Sequence, residues 1–196
     1  MNLKGIIVHQ ICLNLNETDE NLFQYLESSM KKEILEKSIE RFTINDQIID
    51  RFFISTNLQE LDLSGSNNLL TDSILEKIST QCVNLKSLSI FRCTSFSRES
   101  ILKALENLDA LTNLNLSRTN TYDEHLFSIA KNMKSLGRLV LNKLIITDDG
   151  LIQVIKNCSQ LKILSLSACR KVKKKKKNNF FHLNFNPFIY FLQIDQ

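Results

Sequence analysis

One short pattern recurs along this chain and limits what it can fold into. L-x-x-L-x-L, once ending in isoleucine, occurs at Leu58-Gln-Glu-Leu61-Asp-Leu63, Leu85-Lys-Ser-Leu88-Ser-Ile90, Leu111-Thr-Asn-Leu114-Asn-Leu116, Leu136-Gly-Arg-Leu139-Val-Leu141 and Leu161-Lys-Ile-Leu164-Ser-Leu166. The leading leucines step by 27, 26, 25 and 25 residues. Self-similarity at a period of roughly 20–50 residues marks a stack of repeated units, because each unit alone cannot bury its apolar face.

Each unit has two halves with different periods. In the L-x-L half the apolar residues alternate, so the segment reads as a short strand with one face inward. The other half has helical spacing: Ile74, Leu75, Ile78 and Cys82; Ile101, Leu102, Leu105 and Leu108; Leu126, Ile129 and Met133; Leu151, Val154, Ile155 and Cys158. An i, i+3, i+4, i+7 pattern gives one apolar helix face. Thr71, Ser97, Asp123 and Thr147 precede these helices and are expected as N-caps. The fold class this predicts is an α/β solenoid, a right-handed horseshoe with parallel strands on the concave side and helices on the convex side.

Two stretches resemble a known repeat. Leu85-Lys-Ser-Leu-Ser-Ile-Phe-Arg-Cys93 and Ile146-Thr-Asp-Asp-Gly-Leu151-Ile-Gln-Val-Ile-Lys-Asn-Cys158 look like the cysteine-containing leucine-rich repeat of F-box/leucine-rich-repeat and antagonist-of-mitotic-exit proteins. The resemblance covers roughly 43–170. It implies a leucine-rich-repeat solenoid that binds proteins, and substrate selection for an SCF-type ubiquitin ligase in protein catabolism. The units also depart from the pattern. The ninth position holds Ser66, Cys93, Thr119, Leu144 and Cys169, and the helix-end position holds Cys82, Leu108, Met133 and Cys158.

That variation assigns the cysteines. A position that takes Leu or Met in register is a packing position, and free Cys behaves as a small buried hydrophobe. Five cysteines, an odd number with no C-x-x-C pair, point to reduced thiols in the cytoplasm or nucleus rather than a disulfide framework or a zinc site.

Before the repeats, Val8, Cys12 and Leu15, then Leu22, Leu26 and Met30, then Ile34, Leu35 and Ile39 have helical spacing. Residues 1–43 are expected to form a helical cap, 44–169 the repeat domain of about five units, and 170–196 a basic then aromatic tail outside the solenoid. The helix that opens the solenoid should lie within Ile44 to Ile54. No proline precedes Pro187, so the Leu-Pro of an F-box is missing. Val8-x-x-x-Cys12 resembles, at one pair of positions, the short box that binds elongin in some cullin-2 receptors. A structural cap is the preferred reading, with a ubiquitin-ligase adaptor as the alternative partner.

Charge excludes further classes. Of the net +4, the segment 170–196 supplies +6 from seven basic residues and Asp195, which leaves 1–169 at −2. The body therefore lacks the electrostatic footprint of a nucleic-acid binder. No stretch reaches the roughly 18 apolar residues of a membrane helix. There is no phosphate loop, G-x-S-x-G or H-E-x-x-H. His9, His125 and His182 have no motif partner, and His125 is expected on the surface of a convex helix. The chain reads as no enzyme, with no cofactor, no metal and no small-molecule substrate.

What remains is a surface. Residues flanking the inward leucines face the concave side. Glu60, Asp62, Ser87, Ser89, Phe91, Asn113, Asn115, Arg138, Val140 and Asn142 are the expected protein-binding residues. Ser64, Ser117, Ile163, Ser165 and Ser167 stand beside them. Phe91, Val140 and Ile163 are candidates for exposed apolar anchors, and Phe91 and Arg138 have the residue types that most often dominate interfaces. The predicted function is protein–protein recognition by this face. The alternative is a nucleic-acid- or membrane-surface-binding protein that acts through Lys173 to Lys177. Leu161–Leu166 is expected to be an end strand without a cap.

Overall fold

The computed structural model describes residues 3–172 and the strand Tyr190–Leu192. Four helices come first: α1 (Leu3–Leu13), α2 (Glu20–Gln24), α3 (Ser28–Glu40) and α4 (Asp46–Phe52). They precede the first strand, β1 (Glu60–Asp62). Strand and helix then alternate: α5 (Asp72–Gln81), β2 (Ser87–Ser89), α6 (Arg98–Asn107), β3 (Asn113–Asn115), α7 (Asp123–Asn132), β4 (Arg138–Val140), α8 (Asp148–Asn157) and β5 (Ile163–Ser165). The strands pair in sequence order, all parallel. Leu61, Leu88, Leu114, Leu139 and Leu164 lie in one register row, and all five are buried. Neighbouring helices pack on one another, so each unit contributes one strand and one helix to a continuous apolar core.

The inter-unit hydrogen bonds run past the three-residue strands. Leu63 N–H donates to Ser89 O at 2.8 Å and Gly65 N–H to Phe91 O at 2.9 Å. The same two bonds recur in the next three units, ending with Lys143 N–H to Ser167 O at 2.8 Å. At that last rung the backbone turns left-handed in every unit, at Gly65 (φ 82), Arg92 (φ 62), Arg118 (φ 57), Lys143 (φ 58) and Ala168 (φ 57). The turn delivers the ninth-position residue to the interior, where Ser66, Cys93, Leu144 and Cys169 are buried. There Cys93 Sγ donates to Leu63 O at 3.1 Å and Cys169 Sγ to Leu141 O at 2.9 Å, each satisfying a carbonyl of the preceding unit. All five cysteines are buried free thiols.

Several expectations are corrected. The N-cap of α7 is Tyr122, and Asp123 is the helix's first residue. His125 is not on the surface but fully buried. Its Nδ1 accepts from Tyr122 N–H at 3.1 Å, and its Nε2 lies 3.0 Å from Arg98 O. An imidazole at the third helical position can reach back to the N-cap amide, as a capping-box Glu does, and this draws it inward. In the cap, Leu22 is exposed and Phe23 is buried in its place, against Phe52 (ring centroids 4.8 Å) and Phe53 (5.3 Å). Leu15 belongs to a short 3-10 turn after α1.

The chain after 170 is not wholly outside the solenoid, and β5 is not the last strand. β6 (Tyr190–Leu192) pairs parallel with β5, with Ile163 opposite Tyr190. Tyr190 stands 27 residues after Ile163, the same step as between the first two units. Tyr and Phe are residues enriched in strands. The lysine run 173–177 lies outside the described residues, as does the aromatic sequence up to 189.

Candidate protein-binding face

Parallel register brings the expected residues together. Glu60, Ser87, Asn113, Arg138 and Ile163 form one row across the sheet, and Asp62, Ser89, Asn115, Val140 and Ser165 a second. Both rows flank the buried leucines on the concave side. A third row follows in Ser64, Phe91, Ser117, Asn142 and Ser167, where the strands turn. All ten expected residues therefore share one face. Glu60, Asp62, Asn113 and Arg138 are exposed; Ser87, Ser89, Phe91, Asn115, Val140 and Asn142 are half-buried.

Half-burial corrects two readings. Phe91, Val140 and Ile163 are half-buried rather than exposed anchors; Phe91 has the Arg118 guanidinium of the next unit 6.0 Å from its ring centroid. Ser117 and Ser165 are buried outright.

Much of the second and third rows braces the turns. Asp62 Oδ1 accepts from Ser64 N–H at 2.9 Å, and Asn115 Oδ1 from Ser117 N–H at 3.1 Å. Ser117 Oγ accepts from Asn142 N–H at 2.9 Å. Asn142 Oδ1 accepts from Ser167 N–H and from Ser165 Oγ–H, both at 2.8 Å. A side chain that caps a turn amide has less to offer a ligand. The first row is different: among the described residues, the Glu60 carboxylate and the Arg138 guanidinium take no hydrogen bond or ion pair. Within these three rows, those two charges are the groups a partner would find uncommitted.

A depression lies on the other side of the solenoid. An open groove of about 500 Å³ runs between α7 and α8, lined by Phe127, Ala130, Lys131, Lys134, Gln153 and Asn157. Sequence reasoning missed it, because an exposed Phe on a convex helix looks the same in sequence as a packed one. Among the described residues, no group of His, Cys, Asp or Glu is placed to hold a metal ion, and no helix is long and apolar enough to cross a membrane.

No family model matches the chain. It is similar to the yeast Rad7–Elc1 complex, with a TM-score of 0.69 and 18% identity over 100% of this chain and 52% of the matched one. It is also similar to internalin C2 of Listeria monocytogenes, with a TM-score of 0.55 and 18% identity over 76% of this chain and 56% of that one. The chain spans about half the length of each. At such identity the likeness shows the fold alone, an α/β leucine-rich-repeat solenoid.

Proposed function

We propose that this chain recognises another protein through its concave face, with Glu60, Asp62, Ser87, Ser89, Phe91, Asn113, Asn115, Arg138, Val140 and Asn142 in contact. The observation that carries the reading is the register: side chains from consecutive strands stand in rows on one side of the sheet, with Glu60 and Arg138 uncommitted. A face built this way is broad and rigid, which suits a macromolecular partner and not a small substrate. The likeness to Rad7, solved together with Elc1, supports a role in a complex.

The finer reading follows from the repeat's resemblance to the cysteine-containing subfamily: substrate selection for an SCF-type ubiquitin ligase, with the free thiols pointing to the cytoplasm or nucleus. An adaptor would use the outer side of α1. Val8 and Cys12 face inward, but Leu3, Ile6, Ile7 and Leu13 are exposed, and a helix apolar on all sides wants a second neighbour.

The test is capture of partners from the native cell by the full chain, with Phe91→Ala, Arg138→Ala and Lys131→Ala variants. The first two should lose the bound protein and the third keep it. Loss with Lys131→Ala alone would move the interface to the α7–α8 groove. An Ile6→Glu variant that loses an adaptor but keeps the concave partner would support the ligase reading. Removal of residues 170–196 should leave capture intact; loss would favour the lysine-rich tail.

A further inference from the structure

The residues at the left-handed turns form a fourth row, and its chemistry is uniform over three units. Gly65, Arg92, Arg118, Lys143 and Ala168 occupy the same position of successive units. Their amides tie them to the next unit: Arg92 to Ser117 O at 3.1 Å, Arg118 to Asn142 O at 3.1 Å and Lys143 to Ser167 O at 2.8 Å. Neighbours in such a ladder stand about 4.8 Å apart, so three cations span roughly 10 Å. Arg118 leans over the concave face, its guanidinium above the ring of Phe91. Arg92 and Lys143 are exposed and Arg118 half-buried. Among the described residues, no carboxylate pairs with any of them.

The face is thereby polarised. Its two carboxylates, Glu60 and Asp62, are on β1, where the turn residue is the uncharged Gly65. Arg92, Arg118 and Lys143 follow over β2 to β4, and Arg138 adds a fourth positive charge on β4 itself. Like charges this close repel, and a partner carboxylate relieves each repulsion while the guanidinium fork holds it with two hydrogen bonds. The floor beside the row offers hydroxyls and an amide from Ser87, Ser89 and Asn113, suited to a peptide backbone. Four cations on a body of net charge −2 are too few for a phosphate backbone, whose binders usually neutralise more.

We propose that the concave face takes an acidic protein segment, whose Asp and Glu side chains pair with Arg92, Arg118 and Lys143. The proposal rests on the concave reading above. It is tested by fluorescence anisotropy on the full chain, with a short labelled peptide of alternating Glu and Ser. The comparison probes are the Lys–Ser peptide and an oligo-uridylate of equal charge. Replacing Arg92, Arg118 and Lys143 together by Asn, which tolerates a left-handed backbone, should weaken Glu–Ser binding roughly tenfold. If that variant unfolds, Arg92→Asn and Lys143→Asn alone should each weaken it roughly twofold. Lys131→Asn with Lys134→Asn on the convex side, and Asn in place of Lys173 to Lys177, should change little. No binding of the Glu–Ser peptide, equal binding of the oligo-uridylate, an unaffected rim variant, or loss through the convex or tail lysines would each overturn the proposal. Capture of the native partner separates the two readings. Dependence on Phe91 and Arg138 without dependence on the rim cations keeps the concave face and rejects the acidic segment.

Discussion

The carboxylate of Asp123 holds Thr147, the first residue of the next unit's helix start, by two hydrogen bonds: Thr147 N–H to Oδ1 at 2.8 Å and Thr147 Oγ1–H to Oδ2 at 2.7 Å. The same joint is made twice earlier. Asp46 accepts from Thr71 N–H at 2.9 Å and from its hydroxyl, and Asp72 accepts from Ser97 N–H at 2.8 Å and Ser100 Oγ–H at 2.7 Å. Burial pushes the Asp72 carboxyl up, but the hydrogen bonds from Ser100 and Ser97 outweigh it and hold it below the usual carboxylate range. Arg98 interrupts the series. It forks to Glu124 at 2.7 and 2.8 Å, lies 4.3 Å from the Tyr122 ring centroid, and its carbonyl meets His125. Helix starts are thus stitched along one edge of the solenoid by carboxylates, with one joint made by an arginine.

A double-mutant cycle measures one stitch. Asp123→Ala and Thr147→Val should each destabilise, and their coupling should be about 1–2 kcal/mol, as for a charge-assisted pair in partly buried surroundings. Urea denaturation of the four proteins supplies the number. Additivity within roughly 0.3 kcal/mol would mean the contact contributes nothing.

Gly150 makes room for the same stitch. A Cβ there would stand 2.8 Å from Asp123 Oδ1 and 2.9 Å from Leu126 Cδ1. Gly→Ala inside a helix ordinarily gains about 1 kcal/mol of propensity. Here the carboxylate and the leucine would both have to move, so Gly150→Ala should lower the denaturation midpoint despite the better helix former. A raised midpoint would show that Asp123 yields freely.

The stack was readable because its signal is repeated. Five such triplets at a near-constant step fix strand, direction and inward face together, and the row Leu61 to Leu164 follows. What escaped depends on single contacts. Asp123 looks like an N-cap, yet its carboxylate is turned to the neighbouring unit, an association 24 residues away that no local rule contains. His125 carries no hydrophobic signal, and only its hydrogen bonds to Tyr122 and Arg98 make burial tolerable. The half-burial of Phe91 and the row of Arg92, Arg118 and Lys143 come from inter-unit register. Aligning the eighth position of each unit exposes that row in sequence, but the charges acquire meaning only once the ladder places them on one rim. β6 was obscured because Phe191 replaces the leucine of the triplet.

Leu114 and its neighbours separate packing from surface. Leu114 is 1% exposed in the middle of the sheet, so Leu114→Ala should cost about 2–5 kcal/mol through the cavity it opens. Asn113, exposed, should cost within about 0.5 kcal/mol. Asn115 falls between them. Its Oδ1 caps Ser117 N–H, and Asn115→Ala should cost about 1 kcal/mol, more than an outward-facing residue suggests. Equal shifts for Leu114→Ala and Asn113→Ala in thermal or urea melts would contradict the inward and outward assignment.

The buried thiols give the fold a definite alkaline response. Burial pushes the Cys158 thiol from an ordinary 9.0 up to about 11, against a smaller opposing pull from Lys134. Burial likewise raises Cys12, Cys82 and Cys93. Between the two values for Cys158 the folded chain keeps a proton that the unfolded chain releases, so stability falls as pH rises. The contribution is fully present below about pH 9 and is lost as pH climbs through about 11, on the order of 2 kcal/mol for Cys158. Alkaline pH acts on more than one group, so the comparison is between proteins. Met133 fills the same position one unit earlier and is fully buried, which makes Cys158→Met the natural partner. Whatever the exchange does to stability at pH 8, the drop from pH 8 to pH 10.5 should be smaller in Cys158→Met than in the parent chain. Equal drops in the two proteins would mean that the folded state gives up the Cys158 proton as readily as the unfolded one.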